Sequence, residues 1–107
     1  MLQHMNAKEL HEHLQRAPEP PLLLDVREPW EYEKVHIEGS LNLPMSGIAH
    51  TLDRLDAERE TVVICHHGVR SMRVADWLQQ QGFSRLINLD GGIDGWSQQV
   101  DPQMTRY

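Results

Sequence analysis

Cys65 is the only thiol in the chain, and it stands in the run Cys65-His66-His67-Gly68-Val69-Arg70-Ser71, directly after the apolar stretch Thr61-Val62-Val63-Ile64 and directly before a helical pattern. A strand that ends on a cysteine and turns at once into a helix delivers sulfur to an anion-binding bend. Backbone N–H groups of a tight loop converge on one point, and the following helix adds the positive end of its dipole there. That environment favours a thiolate over a thiol, and a thiolate is a nucleophile. The chemistry to expect is displacement on an electrophilic atom, with main-chain donors from Cys65 through Arg70 holding the anion. Gly68 supplies the tight or left-handed bend.

The flanking sequence must position this loop. Asn6 followed by Glu9 predicts a capping box, with Leu10 and Leu14 on one face of a helix that ends before Pro18. Leu22 to Val26 reads as a short strand covered on both faces, with Asp25 unusual near its end. Pro29 opens a brief helix through Lys34, Leu41 to Leu43 reads as a strand stopped by Pro44, and Ile48 to Leu55 as a helical segment. Thr61 to Cys65 is the clearest strand. In the helix after the loop, Ser71, Val74, Ala75 and Leu78 share one face, and Gly82 stops it. Arg85 to Leu89 predicts a further strand, Asp90-Gly91-Gly92 a turn, and Ile93 with Trp96 the apolar face of a last helix. The tail from Asp101 reads as frayed. Alternating strands and helices predict an α/β fold, a three-layer α/β/α sandwich around a mainly parallel sheet of about five strands, whose ligands lie beyond the strand C-terminal ends.

Composition narrows the function classes. A chain of 107 residues is one domain's worth, so residues 1–107 are read as a single unit with a core over about 6–100. A net charge of -6, with 16 acidic against 10 basic residues and no basic block, argues against nucleic acid or an anionic membrane as partner. A lone cysteine builds no internal disulfide and is best preserved in a reducing compartment, so the expected location is cytoplasmic. The opening residues lack the basic and apolar regions of a secretory signal, and no apolar run approaches the ~20 residues of a membrane span. With no long exposed apolar stripe, a monomer is expected. His11 and His13 point to different sides of a helix and make poor joint ligands, so neither a metal nor a cofactor is expected. Trp30, Trp77 and Trp96 read as packing residues, Trp77 being the one that could mark a partner surface.

Four stretches together resemble the rhodanese family in its single-domain form: Leu23-Leu24-Asp25-Val26-Arg27 with Glu31-Tyr32, His36-Ile37-Glu38-Gly39-Ser40-Leu41-Asn42-Leu43-Pro44, the loop at Cys65, and Leu89-Asp90-Gly91-Gly92-Ile93-Asp94-Gly95-Trp96. They follow the family's order across nearly the whole chain. Val35 stands where the family commonly has a glycine before the histidine. The resemblance implies a thiosulfate sulfurtransferase working by a ping-pong mechanism: Cys65 takes a sulfane sulfur from a small anionic donor such as thiosulfate, holds it as a persulfide, and passes it to cyanide or a thiol. The donor or acceptor is equally open to being a protein. Amides and side chains of His66, His67, Gly68, Val69 and Arg70 would bind the donor, with Asp25, Arg27 and Ser71 as support.

Individual roles stay open at this level. Arg70 either meets the donor anion through its backbone or side chain, or pairs with an acid outside the loop. Ser71 either caps the helix or packs beside Val74 and Leu78. His66 and His67 either tune the cysteine and face the acceptor, or are solvated loop residues. Asp25 and Arg27 fit a buried salt bridge or a helix-end contact. The same architecture, by resemblance, also serves dual-specificity phosphatases and arsenate reductases, but four residues separate Cys65 from Arg70, where the phosphatase pattern has five and a wider ring. Arsenate reduction through internal cysteines lacks a second thiol. A non-catalytic binding or regulatory module of the same fold is the other alternative, and such modules commonly lose the cysteine.

Overall fold

Thr61 to Ile64 are buried on both faces, and the computed structural model of the chain, which describes residues 2–107, places them at the middle of a five-stranded sheet. Residue 1 of the expected 1–107 unit lies outside the described residues. In chain order the elements are β1 (Gln3–Met5), α1 (Ala7–Arg16), β2 (Leu22–Asp25), α2 (Pro29–Lys34), β3 (Leu41–Asn42), β4 (Thr61–Ile64), α3 (Val69–Gln80), β5 (Leu86–Leu89) and α4 (Gly92–Gln99). The strands lie in the order β1-β5-β4-β2-β3, and every pairing is parallel. The connection after β2 leads to one side of the sheet and the connection after β4 to the other. Such a switch in direction opens a crevice at the strand C-terminal ends, and β4 ends there at Cys65.

Period-two alternation along the strands divides the core into two layers. Leu24, Val63 and Leu86 face the layer that holds Val74, Ala75 and Leu78 of α3. Leu23, Val62, Ile64, Ile87 and Leu89 face the layer that holds Ala7 and Leu10 of α1 and Ile93 and Trp96 of α4. Helices therefore cover both faces, as a three-layer sandwich requires. Asn88 shares the parity of Leu86, which turns its side chain toward α3 and the loop.

Three expectations change. β1 is an added edge strand whose first two residues are exposed; with polar residues and one neighbour, β5, it has no apolar run to betray it. The segment predicted as a helix over 48–55 forms two 3-10 helices, Met45–His50 and Leu52–Arg54. The tail is packed: Met104 lies against the α1/α4 layer, Arg106 pairs with Asp94 at 2.9 Å, and Tyr107 reaches the site below. The expected capping box of α1 is present, with Asn6 Oδ1 accepting from the N–H of Glu9 at 2.8 Å and Glu9 Oε1 from that of Asn6 at 2.9 Å. Val35 costs nothing where a glycine is commonly found, because its φ of -165° is ordinary extended backbone. Among the described residues no helix is long and apolar enough to cross a membrane.

Candidate active site

Cys65 is 1% exposed and belongs to the apolar layer under α3, yet its sulfur meets polar groups. Sγ accepts the N–H of Gly68 at 3.0 Å. Ser71 Oγ lies 3.4 Å from Sγ, placed to accept from the thiol, and donates in turn to Asn88 Oδ1. Asn88 Nδ2 donates to Asp90 at 2.7 Å, and Asp90 meets His4 at 2.9 Å. A line of hydrogen bonds thus runs from the buried sulfur to the edge strand β1.

Ser71 is the third residue of α3 and caps nothing; Gly68 is the N-cap and no side chain caps the helix. The hydroxyl is used on Cys65 and Asn88 instead.

The loop keeps its curvature because α4 is bolted to its back. The N–H groups of Ile93 and Asp94 donate to the carbonyls of Cys65 and His66 at 2.8 and 3.0 Å. This pulls two loop carbonyls outward. Gly92 makes the approach possible, since a Cβ there would lie 2.4 Å from Cys65 O and 2.5 Å from His66 C and O. Gly68 turns through φ +102° and packs against the Gly91 backbone, where a Cβ would lie 3.2 Å from Gly91 N.

On the inner side the donors stay unspent. The first N–H groups of a helix have no intrahelical acceptor. Among the described residues, no backbone carbonyl accepts from His66, His67, Gly68, Val69, Arg70 or Ser71 outside regular elements, and Gly68 alone reaches the sulfur. Of the amides from Cys65 through Arg70 expected to converge on the anion, one reaches Sγ, that of Gly68. The neighbouring N–H groups, without a protein acceptor, are available to a second atom bonded to Sγ.

Arg70 pairs with an acid outside the loop. Its Nη1 and Nη2 donate to Oε1 and Oε2 of Glu31 at 2.7 and 2.9 Å, a two-bond fork. Hydrogen bonds from Arg70 hold the Glu31 carboxyl down to about 2 against the opposing effect of burial, with the Glu28 N–H and Tyr107 hydroxyl assisting. Arg27 and Asp25 form a buried salt bridge. Arg27 Nε reaches Asp25 Oδ1 at 2.9 Å and Nη2 reaches Oδ2 at 2.7 Å; the guanidinium also donates to Val35 O at 2.7 Å and Tyr107 Oη at 2.7 Å. Burial alone would lower the Arg27 pKa, but the bonds to Asp25 and Tyr107 raise it. This pair ties the end of β2 to α2 and to the tail, beneath the rim.

His66 stands in a stack of three rings, 4.1 Å from His67 and 4.2 Å from Tyr107 between centroids. Burial, and after it the neighbouring His67, lower its pKa and so disfavour the charged imidazolium. His66, His67 and Asp94 bring ligand atoms within 4.8 Å of one another, but the two rings lie 25° from parallel, which runs their in-plane lone pairs side by side. Asp94 already accepts from Arg106. Val69 of the loop is exposed, as is Trp30, which at 61% exposure departs from its expected packing role and meets Tyr107 edge-on at 5.9 Å. Trp77 is partly buried against the α3 layer, and Trp96 is in the core.

The family model described as Rhodanese-like domain matches residues 6–99. The chain belongs to the rhodanese-like family. It is 36% identical over 74 residues to the thiosulfate sulfurtransferase GlpE of Shewanella oneidensis, covering 69% of this chain and 73% of that protein. It is 37% identical to the rhodanese-like/PpiC domain-containing protein 12 of Arabidopsis thaliana chloroplasts over 96% of this chain, and it spans 36% of that protein's length. Among solved structures, a rhodanese-related protein from Thermoplasma volcanium superposes with a TM-score of 0.81 at 32% identity, covering 92% of this chain and 93% of the other.

In this rhodanese-like chain the residues that sequence reasoning did not single out are Glu31, Asn88, Gly92 and Tyr107. Glu31 and Gly92 lie inside motifs quoted for the family, which is the signal that marked their segments but not their roles. Asn88, a polar residue in an otherwise apolar strand, was visible as an anomaly. Tyr107 carries no local pattern at all.

Proposed function

We propose that this chain is a sulfurtransferase that carries a sulfane sulfur on Cys65, taking it from thiosulfate or a similar small donor and giving it to a thiophilic acceptor, cyanide or a thiol. The observation that carries the reading is the loop itself: one amide donates to Sγ at 3.0 Å, while its neighbours have no protein acceptor among the described residues. Family membership and the likeness to a thiosulfate sulfurtransferase support the same class.

In the loading step the Cys65 thiolate attacks the outer sulfur of thiosulfate. The new S–S bond forms as the old one breaks, and sulfite leaves with the bonding pair. The enzyme is left as a persulfide anion whose terminal sulfur accepts from the unspent loop amides, as an oxyanion accepts in acyl transfer. In the unloading step a thiophile attacks that terminal sulfur and the Cys65 thiolate departs. The Gly68 N–H is the donor set on the inner sulfur, whereas Ser71, whose own proton goes to Asn88, is placed to accept from Cys65 only in its thiol form.

Only four residues separate Cys65 from Arg70, one fewer than in the phosphatase pattern and a tighter ring, which weighs against that alternative. The binding-module alternative has to explain an intact cysteine within an unspent amide ring. Incubating the purified chain with thiosulfate and cyanide should release thiocyanate, and Cys65→Ser should abolish the release. Equal activity in that variant would remove the basis for this function, and Cys65-dependent hydrolysis of an aryl phosphate without thiocyanate formation would favour the phosphatase.

A further inference from the structure

The 3-10 helix Met45–His50 and α3 face each other across a groove of about 350 Å³ that the site at Cys65 does not use. Its existence follows from the local sequence. Residues three apart in a 3-10 helix lie one above the other, so Met45 is aligned with Ile48 and Ser46 with Ala49. Ser46 and Ala49 are small and leave the space open. On the opposite wall Val74 and Trp77, three apart in α3, present apolar surface to Met45 and Ile48, all four within one core layer.

Arg73 is the one charged side chain on the lining. It is exposed, and among the described residues it forms no ion pair, whereas Arg70, Arg27 and Arg106 each have a carboxylate. Asp76, one turn further along α3, accepts from Gln80 at 3.3 Å instead. In a chain with 16 acidic against 10 basic residues, this groove is therefore opposite in sign to the molecule around it. An exposed arginine on apolar surface is common by itself, because its stem packs there while its head stays in water. Here the unpaired head stands at a concavity of the size that small-molecule sites have. A guanidinium fork recognises a carboxylate through two parallel hydrogen bonds.

We infer that the groove between Met45–His50 and α3 is a binding site for an amphiphilic carboxylate, with the head group on Arg73 and the aliphatic body against Met45, Ile48, Val74 and Trp77. No acid lines the groove, so a carboxylate meets no like charge there and an ammonium head group finds no partner. The flexible Met45 side chain adapts to the shape of the body. Val69, four residues before Arg73 and 65% exposed, continues the apolar surface toward the loop.

Decanoate is the probe, and decyltrimethylammonium, with the same chain and the opposite charge, is its control. Amide chemical shifts of the 12.4 kDa chain report both affinity and place. Decanoate should bind saturably, with a Kd of about 0.1–1 mM, and move the amides of residues 45–50 and 73–78. It should bind about fivefold more tightly than decyltrimethylammonium, against the pull of the molecule's own net charge. Arg73→Glu should weaken decanoate about tenfold and reverse the order of the two ligands. Ala49→Leu, a substitution at an exposed position that fills the groove, should weaken both. Amide shifts away from the groove that match the wild type show that each variant is folded, and the comparison of the two head groups needs no variant.

Shifts that rise without saturating, or that centre away from these residues, would overturn the inference because no site lies in the groove. Equal wild-type affinity for the two head groups, or an Arg73→Glu chain that binds decanoate as tightly as the wild type, would overturn it by leaving an apolar surface that recognises no carboxylate. Undiminished binding in Ala49→Leu would place the ligand elsewhere. None of these outcomes bears on sulfur transfer at Cys65.

Discussion

Gly92 has no room for a side chain, because the backbone of Cys65 and His66 occupies the place where its Cβ would be. Its φ of +58° adds a second reason. Gly92→Ala should therefore cost roughly 2–4 kcal/mol in thermal or chemical unfolding and slow sulfur loading at Cys65, since relieving the clash pushes α4 off the loop. Unaltered stability would mean that the loop tolerates a looser back wall. Tyr107→Phe keeps the ring stacked on His66 but removes a hydroxyl used by both Arg27 and Glu31; a loss of about 1–2 kcal/mol is expected in the same unfolding experiment. At this scale Cys65 and the bend at Gly68 were readable in the sequence, because strand, thiol, glycine and helix are neighbours along the chain. The partners of Ser71, Arg70 and Arg27 were not. Asn88, Glu31 and Tyr107 come from distant segments, and local pattern holds no trace of such pairings.

Elements set the height and direction of the loop. β4 ends between β2 and β5, and the Asp25–Arg27 pair fixes the end of β2 to α2 with both side chains fully buried. A buried pair adds little net stability against an apolar replacement, yet removing one partner strands the other charge. Arg27→Met should thus destabilise by about 3–5 kcal/mol, and Asp25→Leu combined with Arg27→Met should recover much of that in a double-mutant cycle. Additive losses would contradict the pairing as the source of the effect. The apolar runs of β2, β4 and β5 and the face of α3 were legible from periodicity, as was the Asn6 cap. Edge strand β1 and the 3-10 helices Met45–His50 and Leu52–Arg54 were not, because a polar edge strand has no buried face and the spacing of Ile48 and Leu52 suits either helix type.

For the molecule as a whole, sixteen acidic residues against ten basic ones make acid the informative perturbation. Glu31 has an ordinary value near 4.5 and is held down to about 2 in the fold, so its contribution is fully present above pH 4.5 and fades as pH falls toward 2. Allowing for solvent around Arg70, the loss is on the order of 2 kcal/mol. Unfolding stability measured from neutral pH downward should decline across that window, and Glu31→Gln should flatten this part of the curve. An identical decline in the variant would place the sensitivity elsewhere. The three-layer α/β/α arrangement with its site at the strand C-terminal ends was foreseeable from alternating patterns alone, while the packed tail was not, since polar residues after Asp101 give no hint that Tyr107 reaches back over the loop.

The central claim, that Cys65 holds a transferable sulfur within a ring of unspent amides, is tested most directly by the intact mass of the chain after treatment with a sulfane sulfur donor and removal of excess reagent. The expected result is a gain of one sulfur atom, localised to the peptide bearing Cys65 and lost again on addition of cyanide. A mass that does not change with either thiosulfate or glutathione persulfide, in protein whose thiol still reacts with an alkylating agent, would contradict it.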